Sequence, residues 1–260
     1  MRYGFCHIAI TPLRKENSER SEMISQLIFG DCFKILQQIE DKIQIENFED
    51  QYSGWVDQKQ TIEISQTDYK AYTETPKQIV NQAQTHIIQT NQKNKQKIIY
   101  PIYLGSQVIG EKFQVGDILF QIIEPHHINK PKTNIHSLIT IALKYISAPY
   151  LWGGKSLYGL DCSGLTQMCY KQIGVHLLRD AKDQVTQGEE VKTLEEAEKG
   201  DLCFFHNSVG QITHVGIYIG GNQILHASGQ VRVDPIDQQG ILPKYSNEYT
   251  HQLNKIKRYL

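Results

Sequence analysis

Cysteine is scarce in this 260-residue chain and shows no paired pattern. Cys6, Cys32, Cys162, Cys169 and Cys203 form no CxxC and no Cys/His group at zinc-ligand spacing, which argues against a disulfide framework and a structural zinc site. Free thiols in a reducing compartment follow, four of the five being expected as small buried residues. Net charge is also small: 27 Lys and Arg against 28 Asp and Glu give −1, and no basic block is interleaved with aromatics. Neither nucleic acid nor an anionic membrane is an expected partner. No apolar run reaches the roughly 18 residues of a membrane helix. The N-terminal stretch lacks a signal-peptide core, since His7 and Thr11 interrupt it and charges follow at once, so a cytoplasmic location is the expectation. No solenoid-type repeat is present.

What is there divides into three segments, expected as two small β-barrels over 1–65 and 66–128 and an α+β domain over 129–260. In the first, Phe5–Ile10, Asp31–Gln38, Ile43–Asn47 and Gly54–Asp57 read as strands between turn signals, and Ser21–Leu27 reads as one helical insert. In the second, strands are expected at Lys97–Leu104, Gln107–Ile109 and Ile118–Ile123, while the Gln/Thr/Asn-rich stretch Thr85–Lys97 fits either a loop or a helix face. Residues 126–134 read as a linker. Beyond them Ser137–Ser147 has the density of apolar residues of a buried helix, closed by Pro149.

Chemistry concentrates in Pro149–Leu165. Three glycines precede Asp161-Cys162-Ser163-Gly164, and apolar residues at 162, 165, 168, 169 and 173 follow at helical spacing, with Gly174 as a C-terminal stop. Asp161 is therefore an expected N-cap. Cys162 then falls in the first turn, where unpaired N–H groups and the helix dipole favour a thiolate near neutral pH.

A second constellation lies in Thr213–Ala227. Val215, Ile217 and Ile219 alternate with His214, Gly216 and Tyr218, and the Gly220-Gly221-Asn222 turn returns the chain through His226. A three-residue loop would pair 219 with 223 and 216 with 226, placing His214 and His226 on one face as diagonal neighbours about 7–8 Å apart; a two-residue loop would place them on opposite faces. The first arrangement suits a nucleophile, a base and an orienting group for acyl transfer. Two histidines resting in a hairpin by chance are the bland alternative.

Taken together, Tyr150…Trp152-Gly153-Gly154…Gly159…Asp161-Cys162-Ser163-Gly164-Leu165, Gly200-Asp201-Leu202…Phe204-Phe205, His214-Val215-Gly216-Ile217-Tyr218 and His226-Ala227 resemble the NlpC-type papain-like cysteine peptidases, over about residues 135–260. The resemblance implies Cys162 as nucleophile, His214 as general base and acid, His226 as orienting member and Tyr150 as oxyanion partner beside the Cys162 N–H. Asp161 and Ser163 match cleft positions, and Arg179 is expected to meet either a substrate carboxylate or a structural acid. The first 125 residues look like the bacterial SH3-like modules of murein-peptide recycling enzymes, through Ser21-Glu22-Met23 and Tyr52-Ser53-Gly54-Trp55-Val56. In such relatives an acidic residue and a tyrosine read the free amine of an L-alanine, which makes Glu22 and Tyr52 the matching positions. The implied reaction is hydrolysis of the γ-D-Glu to diamino acid bond in free murein stem peptides by a monomer, without metal or organic cofactor. Cleavage of intact peptidoglycan, non-catalytic binding of wall peptides, and acyl transfer by the same fold are the alternatives.

Overall fold

A computed structural model describes every residue of Met1–Leu260 except Asn247. The chain folds as two compact units, Met1–Pro131 and Lys132–Leu260. The break falls three residues beyond the expected start of the C-terminal domain.

The first unit opens with a seven-stranded antiparallel sheet in the order Met23–Ile28, Ile10–Arg14, Ser53–Asp57, Lys42–Asn47, Cys32–Ile39, Arg2–Phe5, Ile62–Ile64. Leu13, Leu27, Phe33, Ile43, Ile45 and Val56 alternate inward along these strands and close a core. Ser21–Leu27 is thus not helical. Met23–Ile28 pairs with Ile10–Arg14, and that ladder overrides the helix-like apolar spacing of the segment. The second half adds a helix, Gln66–Glu74, capped by Ser65, which strand-like patterning had hidden. A four-stranded sheet (Lys97–Tyr103, Gln84–Asn91, Ile118–Ile122, Lys112–Val115) and a three-stranded one follow. The polar stretch Thr85–Lys97 is largely the strand Gln84–Asn91, whose inward residues Thr85 and Ile87 are buried. Residues 126–134 are not wholly a linker, because Ile128–Asn129 pairs with Gln78–Val80.

The two expected barrels are not independent in packing. One core holds Tyr3, Phe5 and Phe29 from the first half with Tyr72, Ile87, Phe113 and Phe120 from the second. The backbones meet at Gly30, where φ is +96° and an added Cβ would lie 2.0 Å from the Gln107 carbonyl oxygen. Only glycine permits that approach. Gln107 fastens it, its backbone N–H donating to the Phe29 carbonyl and its side chain to Asp31.

The second unit is α+β. Helix Ile135–Leu143 starts at Asn134 and ends earlier than expected, in turns that reach Ser147 with φ +66°. Helix Cys162–Lys171 is buried along all ten residues. Gly174, with φ +82°, closes it through Gly174 N–H to Lys171 O and Val175 N–H to Tyr170 O, the Schellman pattern. This helix packs on an antiparallel sheet ordered Glu189–Val191, His251–Arg258, Leu202–His206, Ile212–Gly220, Gln223–Ser228, Gln230–Pro235. All five cysteines are free and buried.

Candidate active site

Asp161 builds one half of the site. Its Oδ1 accepts from the Gly164 N–H at 2.7 Å, which caps the helix, and its Oδ2 accepts from the Gly153 N–H at 2.8 Å, which ties the glycine turn to the helix start. Arg179 clasps the same carboxylate with two bonds, at 3.1 and 2.7 Å, and also donates to Ser163 Oγ at 3.0 Å. The Arg179 side chain is 1% exposed and that of Asp161 7%. Arg179 is therefore a buried structural cation rather than a partner for a substrate carboxylate. The carboxylate it meets is 18 residues away in sequence, and the planar guanidinium matches it two-pronged. Asp161 and Ser163, the residues on either side of the cysteine, spend polar atoms in the same cluster.

The sheet supplies the other half. In the hairpin Ile212–Ser228 the register is Gly216 with His226, Ile217 with Leu225 and Tyr218 with Ile224, then Gly220 with Gln223. The turn itself has two residues, Gly221 and Asn222, both at positive φ, and the odd residue expected in the loop is a bulge at Ile219 instead. A bulge restores the same parity, so His214 and His226 do share a face. Gly216 between them has to be bare, since a Cβ there would fall 2.9 Å from the His226 Cβ. Without that obstruction the rings meet, His214 Nε2 lying 2.9 Å from His226 Nδ1.

The two halves join at the sulfur. The backbone N–H of Val215, the residue after His214, points at Cys162 Sγ, as does the N–H of Ser163. Tyr150 sits close enough that the Cys162 charge raises its phenol pKa further, after burial. In the segment that leads to Cys162, Leu151, Trp152 and Tyr158 are exposed, at 41, 59 and 62%.

Burial opposes one expectation, the thiolate at Cys162. Burial pushes the Cys162 thiol up to about 12, and the Asp161 charge adds to it, while the two N–H groups and Arg179 only partly oppose them. His214 is held well below its ordinary value by burial and then by His251, His226 and Arg232. Burial thus works against charge on both groups, raising the thiol and lowering the imidazole. A helix dipole gains about 0.3–1 kcal/mol for an anion, which is small beside the loss of hydration on burying one.

Three contributors escaped sequence reasoning. Asp234 accepts from His226 Nε2 at 3.0 Å and from Arg232 Nε at 2.7 Å. His251 stacks on His214 with ring centroids 4.1 Å apart. The polar residues 232 and 234, alternating on the strand that follows Gly229, were the available signal for the first two. Glu22 and Tyr52 belong to the first unit. Glu22 pairs with Lys15 at 3.5 Å, and Tyr52 packs partly buried against that unit's core. Among the described residues no group of three or more His, Cys, Asp and Glu could hold a metal ion.

Residues 147–250 match the NlpC/P60 family, and residues 13–60 match the bacterial dipeptidyl-peptidase SH3 domain. The chain is 36% identical over 134 residues to dipeptidyl-peptidase 6 of Lysinibacillus sphaericus, covering 48% of this chain and 46% of that protein. It is 38% identical over 102 residues to the γ-D-glutamyl-L-lysine dipeptidyl-peptidase of Bacillus subtilis, covering 38% of this chain and 34% of that one. The matched region thus spans less than half the length of either relative. A crystal structure of an NlpC/P60 family protein from Bacillus cereus superimposes with a TM-score of 0.79 over 99% of both chains at 19% identity, which establishes the fold.

Proposed function

The C-terminal unit carries an NlpC/P60-family peptidase domain behind a bacterial SH3-like module, and from that premise we propose that the protein hydrolyses the γ-D-Glu to diamino acid bond of murein stem peptides bearing a free N-terminal L-Ala. The observation that carries the reading is the Val215 N–H aimed at Cys162 Sγ, which sets the sulfur beside the strand that bears His214.

Burial opposes charge on both groups, and in this reading attack and proton transfer are coupled. The S–H proton passes to His214 as sulfur bonds to the γ-carbonyl carbon. We assign the Cys162 backbone N–H and the Tyr150 hydroxyl to stabilising the oxyanion. The His214 imidazolium then protonates the departing amine of the diamino acid, a thioester remains, and the neutral imidazole activates water to release L-Ala-γ-D-Glu. His226 orients His214 throughout. Glu22 and Tyr52 remain our assignments for reading the free amine.

The relatives named above as dipeptidyl-peptidases favour release of a dipeptide from free peptides. A 33% identical stretch of 133 residues in a Mycobacterium tuberculosis peptidoglycan endopeptidase favours a second reading, cleavage of polymeric wall. A substrate panel separates them: L-Ala-γ-D-Glu-L-Lys, its meso-diaminopimelate counterpart, the N-acetylated tripeptides and intact murein, with Cys162→Ala as control. Dipeptide release from the free tripeptides, with loss on acetylation, is the expected result. Faster cutting of murein than of tripeptide would overturn it. Glu22→Gln and Tyr52→Phe should raise KM for the free amine only.

A further inference from the structure

A histidine in the orienting position is ambiguous. Unlike a carboxylate, which can only accept, or an amide of fixed polarity, neutral imidazole can present either nitrogen as the donor. If His226 donated from Nδ1, His214 would have to accept at Nε2 and carry its proton on Nδ1. The remaining nitrogen of the base would then be blocked. Something beyond His226 has to choose.

The chain of contacts continues to such a group. Arg232 is the direct cross-strand partner of His226, and Asp234 lies two residues further on, opposite Ile224. Strand alternation puts His214, His226, Arg232 and Asp234 on one face of three adjacent strands. Asp234 is 4% exposed and His226 is fully buried. A single oxygen, Asp234 Oδ2, receives both His226 Nε2 at 3.0 Å and Arg232 Nε at 2.7 Å. The Arg232 guanidinium lies 5.0 Å from the centre of the Tyr245 ring, whose face shields it.

We propose that Asp234, held by Arg232, is a positioning residue that sets the tautomers of both histidines, so that His214 keeps an unprotonated Nδ1 for the Cys162 proton. The inference rests on the reading of His214 as base and deepens it. A carboxylate beside a guanidinium only accepts, so His226 donates from Nε2. Its Nδ1 is then a lone pair, and the 2.9 Å contact with His214 Nε2 is a bond donated by His214. A neutral His214 protonated at Nε2 is bare at Nδ1. Burial opposes ionisation of Asp234, but its bonds from His226 and Arg232 and the guanidinium charge hold its pKa below the ordinary carboxylate value. When His214 takes the thiol proton at Nδ1, its Nε2–H bond is unchanged, and the new cation faces an imidazole backed by an anion.

The test reads tautomers directly. In protein labelled with 15N-histidine, long-range proton–nitrogen correlations at neutral pH should show both His214 and His226 protonated at Nε2. Asp234→Asn, whose amide can donate to His226 Nε2, should populate Nδ1–H His214. It should also lower kcat on the tripeptide by about 10²-fold or more, by analogy with other orienting carboxylates, with KM within about threefold. Nδ1–H His214 in the unaltered protein overturns the inference, and that spectrum needs no variant to fold. So does an Asn variant with unchanged tautomers and unchanged kcat. Correct tautomers in a protein that cuts nothing in the panel would instead sink the peptidase reading and leave the positioning role standing.

Discussion

Replacing Arg179 with methionine separates a buried structural cation from a substrate clamp. In the structure Asp161 accepts from the Gly153 and Gly164 N–H groups, from Ser163 Oγ, and twice from Arg179. Methionine fills part of the space but leaves a carboxylate, 5% exposed, without its counter-charge. Breaking a buried pair from one side costs about 3–5 kcal/mol, because an uncompensated charge stays inside. A compact unit the size of Lys132–Leu260 loses about 3–4 °C of melting temperature per kcal/mol, so the unit should melt about 10–20 °C lower. Calorimetry of the full chain reads this, and the transition of Met1–Pro131 serves as an internal control. Tripeptide hydrolysis below the new melting point should retain its KM. An unchanged melting temperature together with a KM raised tenfold or more would refute the reasoning and return Arg179 to the substrate.

Three further outcomes follow from the same geometry. With its pKa pushed up to about 12, Cys162 should react slowly with iodoacetamide at pH 7, its rate climbing steadily to pH 9; a plateau near pH 6, with Cys162→Ala as the blank, would show a preformed thiolate. Gly216→Ala drives a methyl group against the tip of the Ile224 side chain, which can give, and against the His226 Cβ, which moves only with its strand and carries the imidazole with it. It should therefore fold yet lose about 10²-fold in kcat, the usual cost of an ångström-scale misplacement, and wild-type turnover would contradict the packing. His214, His226 and His251 are all held below their ordinary values by burial first, His251 down to about 4. The unfolded chain therefore binds more protons than the native one between about pH 7 and pH 4. Stability contributed by these rings is complete above the unfolded value and is lost as pH falls through that window; urea midpoints that stay level from pH 7 to 5 would argue that the rings are hydrated.

Legibility in the sequence tracked how local each cause was. The helix at Cys162 could be read because its determinants lie within a few residues of one another: the glycine turn, the Asp161 cap, the apolar phase and the Gly174 stop. The histidine pair could be read through parity alone, and the parity survived although its device was a bulge at Ile219 instead of a longer loop. Segment Ser21–Leu27 was misjudged because its spacing fits a helix, and what decides is a ladder with Ile10–Arg14. Ionisation of Cys162 is subject to causes of different reach. The dipole that favours an anion is visible in the local pattern, whereas the burial that opposes it is imposed by the sheet packed over the helix. Asp234 and Arg232 belong to a third strand, and their bearing on His226 exists only once the Gln223–Ser228 and Gln230–Pro235 strands are in register. A site assembled from one helix and four strands thus shows its nucleophile in local sequence and hides what sets the proton positions. The residue types that perform chemistry are named by short motifs, but the charges and tautomers they carry are set by neighbours that only the fold brings within 3 Å.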